Sequence, residues 1–141
     1  MVAILLDAGP LVAFLNSNET HHAWVKAQFS RLTEPLLICE PVLTEVCYLL
    51  GRKLGRPLHA LQLLERGVIR LGFDFPVQAV AVRQLFERYG NVPASLADAC
   101  LIRMSELYEP SVVMTFDSDF LVYRRNGRKS IPVLMPESLK K

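Results

Sequence analysis

Residues 2–15 read VAILLDAGPLVAFL: an apolar run, one acid, then a Gly-Pro step into a second apolar segment. A continuous apolar run of this length is a strand buried on both faces. Pro10 suits the first turn of a helix reaching about Leu15, where its missing N–H leaves nothing unpaired. The unit is strand, acid, helix, and the alternation continues outward from it. Leu36–Cys39 leads to Pro41 and a helix with Val42, Val46, Leu49 and Leu50 at helical spacing, its end loosened between Gly51 and Gly55. Val68–Phe73 leads to a helix from Pro76, on which Val77, Val80, Ala81, Leu85 and Tyr89 share a side. After Gly90-Asn91-Val92-Pro93 come a helix over Ser95–Leu107 and a buried strand over Ser111–Thr115. A helix from Glu19 to about Leu32, another from Pro57 with an apolar stripe of Leu58, Leu61, Leu63 and Leu64, and a last strand Ile131–Leu134 complete the series. Strands alternating with helices imply βαβ units, a parallel sheet and an α/β fold.

With 141 residues, the chain has the size of one domain able to bury its own core, and no linker or repeat divides residues 1–141. The hydrophobic fraction of 51% is high, yet each apolar run breaks at an acid, an arginine or a proline. None reaches the ~20 residues that a membrane span needs. The N-terminus lacks a basic segment and a small-residue cleavage site, so it reads as a first strand, and the expected compartment is the cytoplasm. Cys39, Cys47 and Cys100 lie in apolar stretches without C-x-x-C spacing, as buried reduced thiols do. Net charge is only +2, but six Lys/Arg against Glu137 alone follow Phe120. A basic tail on a slightly acidic body is compatible with a polyanionic partner.

The acids carry the chemistry. Asp7 follows the first strand, Glu45 lies on the second turn of the helix opened by Pro41, Asp98 sits in SLAD, and Asp117 and Asp119 sit in TFDSD. Singly, each has a local explanation. Asp7 and Asp117 are placed to cap the turns after them, Ser95 to Asp98 is a capping-box pattern, and Glu45 is an ordinary solvated helical residue. Together they fall at the carboxyl ends of strands, where open α/β sheets bind ligands. Carboxylates gathered there repel one another unless a cation compensates them, which suits a hard oxygen-liganded ion and phosphoryl chemistry.

The succession LLDAGPLVAFLN, PVLTEVCYLL, RYGNVPASLADACLIRMSE and VVMTFDSDF resembles the PIN-domain nuclease family, including its VapC-type toxins, from Leu5 to Pro132. The resemblance implies a single PIN-like domain, a three-layer α/β/α sandwich around a central parallel sheet. It implies Asp7, Glu45, Asp98 and Asp117 as catalytic residues, with Asp7, Asp98, Asp117 and Asp119 around the metal and Ser95 and Thr115 lining the site. The family often has Thr or Ser after the first acid; here it is Ala8, one hydroxyl fewer beside Asp7.

The implied reaction is RNA hydrolysis, in which one or two Mg²⁺ or Mn²⁺ ions lower the pKa of water for in-line attack on phosphorus. The implied partners are an RNA substrate, a small antitoxin and a second copy of the chain in a homodimer. A free-standing RNA-processing nuclease and a non-catalytic PIN-like interaction module stand as alternatives. A haloacid-dehalogenase-type phosphatase would need an Asp at position 9, which is glycine, and a receiver domain would need paired acids in the first loop. Arg124, Arg125 and Arg128 in RRNGRK form a candidate phosphate-tracking rim or a solvated loop with an Asn-Gly turn. His21 and His22 read as surface groups, and Trp24 as helix packing without the aromatic neighbours of a base-stacking platform.

Overall fold

The computed structural model describes residues 2–53, 56–90 and 94–140. In chain order the elements are β1 (Ala3–Leu6), α1 (Ala8–Leu15), α2 (His22–Ser30), β2 (Leu36–Ile38), α3 (Glu40–Lys53), α4 (Leu58–Glu65), β3 (Ile69–Leu71), α5 (Phe75–Arg88), α6 (Leu96–Leu107) and β4 (Ser111–Met114). A 3₁₀ turn (Ser118–Leu121), the strands β5 (Arg124–Arg125), β6 (Lys129–Ser130) and β7 (Val133–Leu134), and a second 3₁₀ turn (Glu137–Leu139) follow. The end of α3 was expected to loosen between Gly51 and Gly55, yet the helix runs on through Lys53; Leu54–Gly55 and the Asn91-Val92-Pro93 approach to α6 lie outside the described residues.

The main sheet is five-stranded in the order β3-β2-β1-β4-β7, and all its pairings are parallel. From β1 the chain steps outward to β2 and β3, then returns past β1 to β4 and steps outward the other way. Right-handed crossovers therefore put α1 to α4 on one face and α5 and α6 on the other, a three-layer α/β/α sandwich. Leu5, Leu6, Ile38, Val113 and Met114 of the strands are fully buried against Val42, Val46 and Leu50 of α3 and Cys100, Leu101 and Met104 of α6. Strand residues buried on both faces explain why β1 and the Val112-Val113-Met114 stretch of β4 are apolar runs.

Several expectations are corrected. The second helix is shorter at both ends. Asn16 takes the Asn18 and Glu19 amides into a turn before it, and Arg31 N donates to the Gln28 and Phe29 carbonyls after it. On α4 the buried residues are Ala60 and Leu63, while Leu58 and Leu61 face solvent. On α5 they are Val82 and Leu85, with Val77 and Val80 exposed, because the helix is clamped to α6 through Gln78, whose Oε1 accepts from Arg103 Nε at 2.7 Å. The thiols are all free, but only Cys39 and Cys100 are buried. The basic segment is no loop: β5 and β6 form an antiparallel hairpin, turned by Asn126 and Gly127 at φ of 50° and 87°. Left-handed backbone is what Asn-Gly supplies at least steric cost.

Candidate active site

The strand order reverses between β1 and β4, so the crevice outside their carboxyl ends is the sheet's switch point. Two of the acids and the threonine flank it. Leu6 pairs with Met114, and Asp7 N donates to the Met114 carbonyl at 3.0 Å, which sets Asp7 beside Thr115. Thr115 Oγ1 then donates to Asp7 Oδ2 at 2.7 Å, while Ala8 N donates to Asp7 Oδ1 at 2.8 Å. The absence of a hydroxyl at Ala8 thus leaves Asp7 with a donor on each oxygen. Thr115 Oγ1 also accepts from Asp117 N at 2.9 Å, and Asp117 Oδ1 accepts from Asp119 N at 2.9 Å. One relay of bonds fixes the loop after β4 to the acid after β1.

The second arm comes from α6. Ser95 caps it in a complete capping box: its Oγ accepts from Asp98 N at 3.0 Å and its own N donates to Asp98 Oδ2 at 3.4 Å. The Tyr123 hydroxyl donates to the same Oδ2 at 3.1 Å. Phe120 and Tyr89 pack edge-on against Tyr123 with centroids 5.2 Å and 5.1 Å away. Sequence reasoning missed Tyr123 altogether, since nothing in DFLVYRR marks it as facing the acids. Glu45 projects from the exposed side of α3, as its place before buried Val46 requires.

The local explanations of these acids hold together with the functional one. Asp7 caps α1, Asp117 caps the 3₁₀ turn and Asp98 closes its box, so capping ties down one oxygen of each. Among the described residues Asp98 Oδ1 and Asp117 Oδ2 have no hydrogen-bond partner.

The electrostatics connect all four elements. Burial pushes Asp7 up from 3.8 to about 6, aided by the Asp98 and Glu45 charges and opposed by the bonds from Thr115 and Ala8. Glu45 is raised by burial and by Asp98 and Asp117. Asp98 is raised by burial and by Asp117, against the bonds from Tyr123 and Ser95. Burial, then Asp98, Asp119 and Asp117, hold the Tyr123 hydroxyl above its usual range. The charge of Asp98 thus reaches Asp7 and Glu45, and that of Asp117 reaches Glu45 and Asp98.

Hard carboxylate oxygens gathered where burial and neighbouring charge penalise their ionised forms are a donor set that Mg²⁺ or Mn²⁺ fits. Among the described residues no three acids, histidines or cysteines converge tightly enough to cage an ion.

The remaining candidates fall elsewhere. Arg125 is buried, paired with Glu109, and its Nη1 donates to the Ser105 carbonyl at 2.9 Å, so it faces the core and not a rim. Arg124 Nη1 donates to the carbonyls of Leu121, Val122 and Tyr123. Arg128 is exposed. The histidines are not surface groups: both are half-buried, His22 Nδ1 lies 2.6 Å from the Ala13 carbonyl, and the His21 ring meets Phe116.

A parallel α/β sheet whose switch point gathers carboxylates from four elements defines the class. Within it, the chain belongs to the PIN-domain family, whose sequence profile matches residues 4–126. Its fold is similar to that of VapC20 from Mycobacterium tuberculosis, a sarcin-ricin loop cleaving toxin. The TM-score is 0.71 at 18% identity, covering 83% of this chain and 92% of that one. No curated protein matches the chain in sequence.

Proposed function

We propose that this chain is a divalent-metal-dependent endoribonuclease, the toxin of a VapBC-type pair, acting in the cytoplasm as a homodimer that a small antitoxin neutralises. The observation that carries the reading is the bonded arrangement at the switch point, where Thr115 joins Asp7 to Asp117 and the charges of Asp98 and Glu45 reach Asp7. Membership of the PIN family and the likeness to a sarcin-ricin loop cleaving toxin support it. No helix among the described residues is long and apolar enough to cross a membrane.

Asp7, Asp98 and Asp117 would hold a Mg²⁺ or Mn²⁺ ion, with Asp119 beside them. When bound, the ion supplies Lewis-acid activation of water and neutralises charge on the phosphoryl oxygens. The chain's own part is placement. Thr115 holds Asp7 Oδ2, and Tyr123 with Ser95 holds Asp98 Oδ2, which leaves Asp98 Oδ1 and Asp117 Oδ2 free for the ion. Glu45, exposed and raised in pKa, orients the attacking water and takes its proton on the carboxylate. No side chain forms a covalent bond to phosphorus.

The test compares RNA cleavage by wild type and Asp98→Asn, purified in parallel, with Mn²⁺ and with chelator. Cleavage is expected only from wild type with metal. An Asp98→Asn protein cutting at the wild-type rate would overturn the assignment. Growth arrest on inducing wild type but not Asp98→Asn tests the toxin role.

A further inference from the structure

The geometry points to a nucleobase-stacking subsite on the rim of the same crevice, built from His21, Trp24 and Phe116 and taking a base of single-stranded RNA next to the scissile phosphate; this rests on the nuclease reading above. The Phe116 ring is the centre of the group. His21 lies 5.0 Å from it at 53°, and Trp24 lies 6.0 Å away, edge-on at 63°.

Phe116 stands in the chain between Thr115 and Asp117, and its ring lies so close over Gly9 that a Cβ there would come within 3.2 Å of Cδ2. One aromatic ring thus rests between the backbone that carries Asp7 and the backbone that carries Asp117. All three aromatic residues are half-buried, so each is held by packing yet keeps part of its surface open. The support is rigid: His22 is bound to the Ala13 carbonyl at 2.6 Å, and Val25 N donates to the His21 carbonyl at 3.0 Å.

An aromatic cluster whose central ring lies over Gly9, two residues from Asp7, and precedes Asp117 in the chain is a poor neighbour for a hydrated charge alone. A nucleotide satisfies both surfaces at once, with its phosphate at the acids and its π-face on the rings. Stacking accepts any base, so the subsite favours unpaired nucleotides over a particular letter. The sequence gives no sign of it, because Phe116 is remote in the chain from His21 and Trp24.

Trp24 is the only tryptophan, so its fluorescence reads the subsite directly. Wild type with Mg²⁺ is titrated with a phosphorothioate oligoadenylate and with an abasic ribose-phosphate oligomer of equal length and charge. The base-bearing oligomer is expected to quench Trp24 and bind about tenfold or more tightly than the abasic one. His21→Leu and Phe116→Leu, each keeping apolar bulk, should remove most of that difference and leave abasic affinity unchanged. Equal affinity for the two oligomers, or an undiminished difference in both variants, would overturn the subsite. Cleavage of ordinary RNA by wild type, run alongside, judges the nuclease reading on its own. A protein that cleaves without base-dependent binding loses only the subsite, and one that binds bases without cleaving keeps the subsite and loses the nuclease.

Discussion

The Tyr123 hydroxyl donates to Asp98 Oδ2 at 3.1 Å, the oxygen that the Ser95 amide already holds. The two bonds fix one Asp98 oxygen and leave Oδ1 without a partner among the described residues. Tyr123→Phe keeps the ring between Phe120 and Tyr89 and removes only the donor. Such orienting partners are worth about 10- to 100-fold in metal affinity or activity. Cleavage should fall in that range, and the Mn²⁺ concentration giving half-maximal activity should rise. A variant with a lower rate at every metal concentration and an unmoved half-maximum would assign Tyr123 a packing role alone.

Thr115 serves two partners, donating to Asp7 Oδ2 and accepting from Asp117 N. Thr115→Val keeps the shape and strands both groups in a buried setting, a loss of about 2–3 kcal/mol. Thr115→Ser retains the hydroxyl and should recover most of it. Urea unfolding of the three proteins decides the matter: a Val variant as stable as wild type would show that the two bonds add nothing to the fold.

How much of this was legible follows from the range of each interaction. β1, β4 and α6 were readable because apolar runs and the Ser95–Asp98 box are local signals, and the structure realises that box in full. The acids were legible as a set because strand ends in a parallel sheet share one edge. The Tyr123–Asp98 and Thr115–Asp7 bonds were not, since tertiary pairing leaves no periodic trace in either segment. The expected α5 stripe holds at Leu85, which is buried, and fails at Val77 and Val80, which fit the helical period as well as buried Val82 does until packing against α6 chooses between them. Arg125 was misread because a guanidinium is expected in water; here the Ser105 carbonyl and Glu109 receive it.

Arg125 and Arg128 should accordingly separate. Arg125→Ala frees a buried carbonyl and opens the anchor between β5 and α6, a loss of about 2 kcal/mol that lowers the melting temperature. Arg128→Ala should leave the melting temperature alone. If Arg128 touches phosphate, its loss flattens the log–log salt dependence of single-strand binding by about 0.7. Filter binding across a salt series reads this, and an unaltered slope would make Arg128 an ordinary surface residue.

Asp7 sits at about 6 in the fold against 3.8 as a free side chain. The folded state holds the proton more tightly, so the stability tied to protonated Asp7 is full below 3.8, declines across the window up to about 6, and is gone above it. The interval corresponds to about 3 kcal/mol. In chelator, Asp7→Asn should therefore melt above wild type at neutral pH and lose that advantage toward the acid end of the window. The amide fits the Thr115 hydroxyl less well than a carboxylate does, which trims the gain by about 1 kcal/mol. A variant no more stable than wild type at neutral pH would mean that the Asp7 charge carries no such burden.

The same proton must leave before Asp7 can serve a cation, so metal binding and pH are linked. Mn²⁺ at a hundredfold excess over its dissociation constant should stabilise the fold by about 2.7 kcal/mol, because it binds the native state alone. The rise in melting temperature should be largest at neutral pH and should shrink as Asp7 is protonated below about 6. Asp98→Asn should blunt it at every pH, and Arg128→Ala should not. Differential scanning fluorimetry at matched ionic strength makes the comparison. Melting curves that coincide with and without Mn²⁺ at neutral pH would remove the cation from the crevice, leaving a PIN fold whose acids cap helices and whose role is interaction.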